Sequence, residues 1–306
     1  MTRYVVSRLA GGIAVIAGVI VLSFFVTHYI GDPVFLLVDR ELSTPEERQA
    51  MVEAGGFDRP AIDQFTDFAG GAVQGDFGTS IWQNRPASEV VIERIPATLL
   101  LAGASAVFTF AIAIPAALTA ARNAGRWPET VITTVSTALA SFTPFWLALS
   151  LILLFSVEVD VLPTSGYGVF PELILPVLAL SAPAIGHITQ IMQSSLTSEF
   201  VQPYVRTARS KGLPERLVGM RHVLPNAALV GVTLLGTLAA NLMNGTVLIE
   251  SIFAWPGLGQ VSLQAIERRD LPVLMAAVFY LALVVTTINI VIDLLYMRLD
   301  PRVRLR

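Results

Sequence analysis

Six apolar stretches recur along the chain, and each has the length of a membrane-crossing helix. At a helical rise of about 1.5 Å per residue, such a stretch covers the roughly 30 Å of a hydrocarbon core. No stretch alternates apolar and polar residues with the period of two that a barrel strand would show. We therefore predict helical crossings at residues 9–30, 99–121, 131–157, 173–192, 227–249 and 273–297.

The fold class that follows is all-α, an integral membrane helical bundle of six transmembrane helices. Arg3 and Arg8 precede the first stretch, as basic residues precede the core of a secretory signal. A signal core is shorter than residues 9–30, and no convincing small-residue cleavage site follows it. The first stretch is therefore predicted to remain in the protein as a spanning helix.

The Lys and Arg residues predict on which side of the membrane each loop lies. Most of the 20 are found in the N-terminal tail, in the loops at 122–130 and 193–226, and in the C-terminal tail. Cytoplasmic loops carry an excess of these residues. Both termini are therefore predicted to be cytoplasmic.

An extracytoplasmic insert is predicted at residues 31–98, between the first two crossings. Thr44 is a typical N-terminal capping residue, and Gly55-Gly56 is a typical end for the helix that it would start. A second short helix is predicted to start at Pro60, with one apolar face that packs on the bundle or the bilayer surface. The residues of that face are Ile62, Phe65, Phe68 and Ala69.

The composition agrees with a membrane environment and removes several kinds of chemistry. Hydrophobic residues make up 54% of the 306 residues, and charged residues only 14%. The chain has no cysteine, so it can hold neither a disulfide nor a thiolate metal site. It also lacks a Gly-x-x-x-x-Gly-Lys-Ser/Thr phosphate loop and any plausible catalytic triad, metal-ligand cluster or carboxylate pair. We expect no catalytic site, no bound cofactor and no metal in this chain.

The loop at 199–226 is basic and has the pattern of a helix–turn–helix. Residues 204–211 are polar and favour a helix, Gly212 suits a left-handed stop, and Pro214 restarts a second helix that runs to His222. On composition alone, a solvated basic loop that only sets the topology explains this segment equally well.

The same loop resembles the cytoplasmic signature loop of the permease subunits of binding-protein-dependent ABC importers. In that family an Ala-x-x-x-Gly sequence precedes a hydrophobic-x-Leu-Pro sequence. Ala208, Gly212 and Leu224-Pro225 stand at the matching positions, and Arg206 replaces the Glu that often opens the motif. That replacement is shared by the dipeptide and oligopeptide branch of the family.

Further segments resemble the same branch in the same order along the chain, which makes the combination specific although each segment is short. Gln190 and Gln193 depart from the pattern, because many relatives carry arginines at the inner end of the fourth crossing. The matching segments are Gly31-Asp32-Pro33, Phe57-Asp58-Arg59-Pro60, Gly75-Asp76-Phe77-Gly78-Thr79-Ser80, Arg94-Ile95-Pro96-Ala97-Thr98-Leu99, Phe145-Trp146-Leu147-Ala148, Leu162-Pro163-Thr164-Ser165-Gly166, Glu250-Ser251-Ile252-Phe253, Pro256-Gly257-Leu258-Gly259, Asp293-Leu294-Leu295-Tyr296 and Leu299-Asp300-Pro301-Arg302.

The resemblance implies a type I ABC importer permease fold and the role of the B-type permease subunit, which forms half of a passage for peptides. It divides the chain into a tail with the first crossing (1–30), the insert (31–98) and a transmembrane core (99–306) that includes the coupling loop 199–226. The implied partners are a second permease, separate ATPases that use ATP and Mg²⁺, a solute-binding protein outside the bacterial cytoplasmic membrane, a peptide substrate and the lipid bilayer. No nucleic acid is implied.

The resemblance also implies roles for individual residues. The residues expected to couple the chain to the ATPases are Tyr204, Arg206, Ala208, Arg209, Lys211, Gly212 and Pro225. The outer gate is expected at Glu250, Trp255, Pro256, Gly257, Leu258 and Gly259.

A proton- or ion-coupled secondary transporter is the main alternative function. Such a protein usually needs ionisable residues deep in its bundle. The predicted crossings hold few of them, namely His187, Asp293 and, at an outer edge, His28. We interpret His187 as a histidine packed in the bundle and Asp293 as the partner of a nearby Arg. A non-transport scaffold or a passive channel is the third class. A scaffold would not need the helix–turn–helix, and a passive channel would show solute flux without ATP.

Overall fold

The computed structural model describes residues 2–30 and 59–299, and helices dominate both ranges. The N-terminal helix is α1 (Thr2–Ile30), and two shorter helices follow in the insert, α2 (Ala61–Gln74) and α3 (Ala87–Ile92). The remaining helices are α4 (Ile95–Arg122), α5 (Trp127–Ser141), α6 (Pro144–Leu151), α7 (Phe170–Phe200), α8 (Pro203–Ser210), α9 (Glu215–Leu217), α10 (Leu224–Ile252), α11 (Leu258–Glu267) and α12 (Leu271–Leu299). Two π-helical segments, Ile152–Glu158 and Val218–Val223, continue α6 and α9 respectively.

The predicted crossings all fall on helical segments, which confirms the all-α fold class for residues 2–30 and 59–299. Four described segments are long and apolar enough to cross a bilayer: Val6–Phe25, Ala87–Arg122, Phe170–Phe200 and Leu271–Leu294. The pair of α5 and α6 adds a fifth crossing if the two helices are counted as one. The remaining predicted crossing, 227–249, lies within α10, which is 29 residues long.

The third predicted crossing is not the single helix that its sequence suggested. A break at Phe142 and Thr143 separates α5 from α6, and the two helices are bent by 97°. The cause is local, because a residue before a proline is disfavoured in the α conformation. Thr143 precedes Pro144 and has an extended backbone, with φ −86° and ψ 141°. Its hydroxyl oxygen accepts a hydrogen bond from the Trp146 N–H and caps the new helix.

The chain divides into two compact units. The first comprises Met1–Ala97 and Pro256–Thr287, and the second comprises Thr98–Trp255 and Ile288–Arg306. The predicted domain boundaries at residues 30 and 98 stay predictions.

The core of the first unit gathers apolar side chains from α1, α2, α3, α11 and α12. Phe65, Phe68 and Ala69 of α2 pack against it, as their pattern predicted. Ile62 does not, since it is 66% exposed. The helix predicted at 44–56 lies outside the described residues.

In the second unit, α7 packs along α5 and also contacts α6 and α10. Gly186 marks the closest approach to α5. A Cβ at this position would come closer than 3.0 Å to the Ser136 carbonyl oxygen and the Ala140 amide nitrogen. The absence of a side chain at Gly186 therefore allows the two backbones to touch.

The helix α7 continues through two buried prolines, Pro176 and Pro183. His187, one turn further on, is exposed. The interpretation of His187 as a histidine packed inside the bundle is therefore wrong for this chain taken alone.

Candidate functional site

The helix–turn–helix predicted between the fourth and fifth crossings is present in the second unit, and we call residues 203–223 the elbow. Its first helix, α8, ends where Gly212 adopts φ +78°, the left-handed conformation that favours glycine. The Gly212 N–H donates to the Arg209 carbonyl at 2.9 Å, and the Leu213 N–H donates to the Ala208 carbonyl at 3.4 Å. These two bonds form a Schellman motif, which ends α8 and turns the chain.

The second arm of the elbow differs from its prediction in one respect. It begins after Pro214 as expected, but it does not stop at His222. The π-helical segment Val218–Val223 leads directly into α10. The elbow is therefore joined to the fifth predicted crossing by continuous helix rather than by a loop.

The two faces of α8 differ in burial and in charge. Val205 and Ala208 lie three residues apart on one face and are buried, with 0% and 7% of their surface exposed. Within the predicted coupling set, Ala208 is thus the residue that packs inside the chain. Three of the other members are basic, namely Arg206, Arg209 and Lys211. All six other members of the set are exposed: Tyr204, Arg206, Arg209, Lys211, Gly212 and Pro225.

An ion pair holds the two arms of the elbow together. Arg209 Nε lies 2.6 Å from Glu215 Oε1, and Arg209 Nη2 lies 3.2 Å from Glu215 Oε2. The hydrogen bond from Arg209 to Glu215, together with the glutamate charge, raises the pKa of Arg209. An exposed pair of this kind contributes at most about 1 kcal/mol, so it sets the geometry of the turn more than its stability.

Tyr204 is held in a similar way at the start of α8. Its hydroxyl donates to Glu199 Oε2 at 2.6 Å. Burial, and then the hydrogen bond to this carboxylate, raise the pKa of Tyr204, so the phenol stays a neutral donor at physiological pH.

Arg122, the last residue of α4, fastens the elbow from another helix. Its Nη2 donates to the Arg216 carbonyl oxygen at 3.0 Å. The guanidinium lies against Gly219, where an added Cβ would come closer than 3.0 Å to the Arg122 nitrogens Nη2 and Nε. Sequence reasoning missed this contact. The only sequence signals are one Arg and one Gly in separate helices, and nothing local pairs them.

Two of the predicted outer-gate residues belong to the second unit and form a packed corner. Glu250 is fully buried and accepts a hydrogen bond from the Thr98 hydroxyl at 2.7 Å. The Trp255 N–H donates to the Glu250 carbonyl at 2.8 Å. The Trp255 ring is buried and packs edge to face on Tyr167, with 4.8 Å between ring centroids. A carboxylate and an indole are thus fixed at the end of α10.

The other four predicted gate residues, Pro256, Gly257, Leu258 and Gly259, belong to the first unit. Gly257 is extended, and α11 starts directly after it at Leu258. Leu258 and Gly259 are buried, and Leu258 is part of the apolar core of this unit. This part of the expected outer gate therefore leads into a helix, and its role in gating stays a prediction.

A second buried carboxylate, Asp270 in the first unit, was not singled out by the sequence. It is 3% exposed and accepts hydrogen bonds from the Ser80 hydroxyl at 2.5 Å and from the Val273 N–H at 3.3 Å. It therefore caps α12 and ties it to the loop before α3. No group of three or more His, Cys, Asp or Glu side chains that could hold a metal ion occurs in the described part of the chain.

Known proteins resemble this chain over its whole length. The family of the binding-protein-dependent transport system inner membrane component matches residues 113–305. The glutathione transport system permease protein GsiC of Escherichia coli strain K12 is 35% identical over 305 residues, which cover 99% of each chain. The GsiC protein of Shigella dysenteriae serotype 1 matches to the same extent.

A solved structure has the same fold. A chain of the MetNI methionine ABC transporter, determined in inward-facing conformations, superposes with a TM-score of 0.57 at 16% identity. The match covers 69% of this chain and 96% of that chain. Since the family match spans more than half of the chain and relatives match almost all of it, the chain belongs to the binding-protein-dependent transport system inner membrane components, the permeases of ABC importers.

Proposed function

We propose that this chain is one of two permease subunits of an ATP-driven importer that carries peptides or peptide-like solutes across the bacterial cytoplasmic membrane. The observation that carries the proposal is the elbow. It exposes Arg206 on a short helix whose other face is packed and Lys211 directly after that helix, and it lies inside the region of the family match. A short helix held in this way can be displaced by a second protein and can transmit that displacement to the membrane helices joined to it.

The motor is proposed to be a separate chain, because this sequence has no loop that could cradle nucleotide phosphates. ATP and Mg²⁺ would be used by the partner ATPases. Movement of α8 would reach α10 through the continuous helix of the second arm, and it would reach α4 through the bond from Arg122 to the Arg216 carbonyl. Two crossings would then respond to one docking event.

The proposed cargo follows from the relatives, which are named for the transport of glutathione, a tripeptide. A second permease and an external solute-binding protein complete the proposed assembly, and both termini of this chain lie in the cytoplasm. Proton- or ion-coupled transport remains the competing proposal, with His187 as the exposed titratable group that it would use.

The test measures peptide uptake in membrane vesicles that contain the whole complex. Uptake should require both ATP and the solute-binding protein. Ala208→Asp places a charge on the packed face of α8, so uptake should be lost while the chain still inserts. Ala208→Ser, which adds only a small uncharged hydroxyl at the same buried position, is the matched control and should keep most of the uptake. Uptake driven by a proton gradient without ATP, or normal import by Ala208→Asp, would contradict the proposal.

A further inference from the structure

A row of uncharged polar groups follows the seam between α5 and α7 in the second unit. Gln190 Nε2 donates to Thr137 Oγ1 at 3.2 Å, and Gln193 Nε2 donates to Thr133 Oγ1 at 3.1 Å. We call these four residues the polar seam. It offers amide and hydroxyl groups, which both donate and accept hydrogen bonds.

A single carboxylate, Glu129, stands at one end of the polar seam, and its oxygens are already engaged. Its Oε1 accepts from Gln193 Nε2 at 3.2 Å, and its Oε2 accepts from the Gly125 N–H at 2.6 Å. These two bonds hold the Glu129 carboxylate against the turn that precedes α5, so its negative charge has a fixed place at that end of the seam.

Three hollows of about 510 to 550 Å³ lie along one face of α7, beside the polar seam. The first lies next to the break between α5 and α6, where His187 lines it. The second hollow, lined by Gln190, Ile191, Ser194, Ser195 and Ser198, shares Ile191 with the first hollow and Gln190, Ser194 and Ser198 with the third. The three hollows therefore lie next to one another along α7 from His187 to Ser198, over about 17 Å at the helical rise, and together we call them the trough.

The trough cannot be a lipid-facing surface over its upper part. His187 lies well inside the fourth predicted crossing, and it is exposed. A polar side chain that faces hydrocarbon without a partner costs several kcal/mol. This face of α7 must therefore meet water, a solute or another protein.

Building on the proposed function, we propose that the trough is this subunit's wall of the solute passage. We further propose that, apart from one carboxylate at its end, it handles passing solutes through neutral hydrogen-bonding groups. Among the described residues that line the three hollows, the titratable ones are His187 and Glu129, and Glu129 is held at one end of the polar seam. Such a wall suits neutral or zwitterionic peptide-like solutes, whose amide groups pair with glutamine, serine and threonine side chains.

The absence of cysteine from the chain makes a clean labelling test possible. Ile191→Cys places a thiol in the trough, inside the predicted crossing 173–192, in the whole complex in inside-out vesicles. Ser181→Cys is the buried control on α7, and Val107→Cys is an exposed apolar control on α4. A charged, membrane-impermeant thiol reagent should modify position 191 at least about tenfold faster than either control, because a thiol held in apolar surroundings has little thiolate. Saturating peptide or the ATP-bound state should slow the modification, and completed modification should block uptake.

Two results would overturn the assignment. Reaction at position 191 no faster than at position 107 would place the trough against lipid. Reaction in the isolated chain but in no nucleotide state of the complex would make the trough an interface with the second permease. In either case, intact ATP-dependent uptake by unlabelled Ile191→Cys would leave the proposed function standing, whereas uptake that never depends on ATP would refute the function itself.

Discussion

At Gly212 the backbone conformation, and not the space around the residue, limits which amino acid can stand in the turn. Its φ of +78° lies in the left-handed region, and an added Cβ would meet no atom within 4 Å. A substitution there therefore strains only the chain itself, by about 1–2 kcal/mol for an ordinary residue. Valine is worse because its branched side chain is a true outlier in this region, whereas asparagine visits it readily.

We therefore expect Gly212→Val to lower the amount of peptide imported per ATP hydrolysed severalfold, because the Schellman turn would open and the elbow would lose its shape. Gly212→Asn should keep most of the coupling. The measurement is the ratio of uptake to ATP hydrolysis in reconstituted vesicles. A normal ratio for the valine variant would show that the elbow does not transmit the work of the motor.

The residues of the elbow divide clearly into those that the sequence could predict and those that it could not. Gly212 could be predicted, since a glycine between a polar helix and a Leu-Pro restart is a local signal. The contact of Arg122 with Gly219 could not, because it joins two helices that are remote in sequence. Burial is equally hidden, and Asp270 and Glu250 look like ordinary loop or helix-end acids until packing is known.

Among the elements, the pair of α5 and α7 depends on one glycine. A Cβ at Gly186 would overlap backbone atoms of α5, which cannot rotate away as a side chain can. Gly103 in α4 offers a matched position, because an added Cβ there would meet nothing within 4 Å.

Gly186→Ala should lower the melting temperature of the purified complex, since overpacking of this kind costs about 1–3 kcal/mol or more. Gly103→Ala should leave it unchanged or raise it slightly, because alanine favours helix over glycine. Thermal unfolding in detergent measures both. Equal stability of the two variants would mean that α5 and α7 separate more easily than their packing indicates.

The helices also show which features of the fold hydropathy can predict and which it cannot. The positions of the crossings could be predicted because length and apolar character are local properties. The 97° bend between α5 and α6 could not, since Pro144 interrupts the helix there while Pro176 and Pro183 leave α7 continuous. The same residue type has opposite outcomes, and the packing around it decides between them.

For the whole molecule, the orientation in the membrane rests on the distribution of Lys and Arg, and it can be checked directly. Ser210 in the elbow and Thr79 in the insert are both exposed. In the cysteine-free chain, Ser210→Cys should react with an impermeant thiol reagent only from the cytoplasmic side, and Thr79→Cys only from the outside. Labelling of intact cells and of inside-out vesicles distinguishes the two. Reaction of Ser210→Cys in intact cells would invert the topology and remove the elbow from any cytoplasmic motor.

The grip of Arg122 on the elbow has one more consequence, because the atom that it holds is a main-chain carbonyl. Every amino acid supplies that oxygen, so the side chain at position 216 can be substituted while the hydrogen bond from Arg122 to the main chain persists. Position 122 has no such freedom, since the forked cation fills the space that Gly219 leaves for it. Substitutions can therefore change the exposed side chains of the elbow to fit a different ATPase without disturbing the attachment of the elbow to the membrane helices.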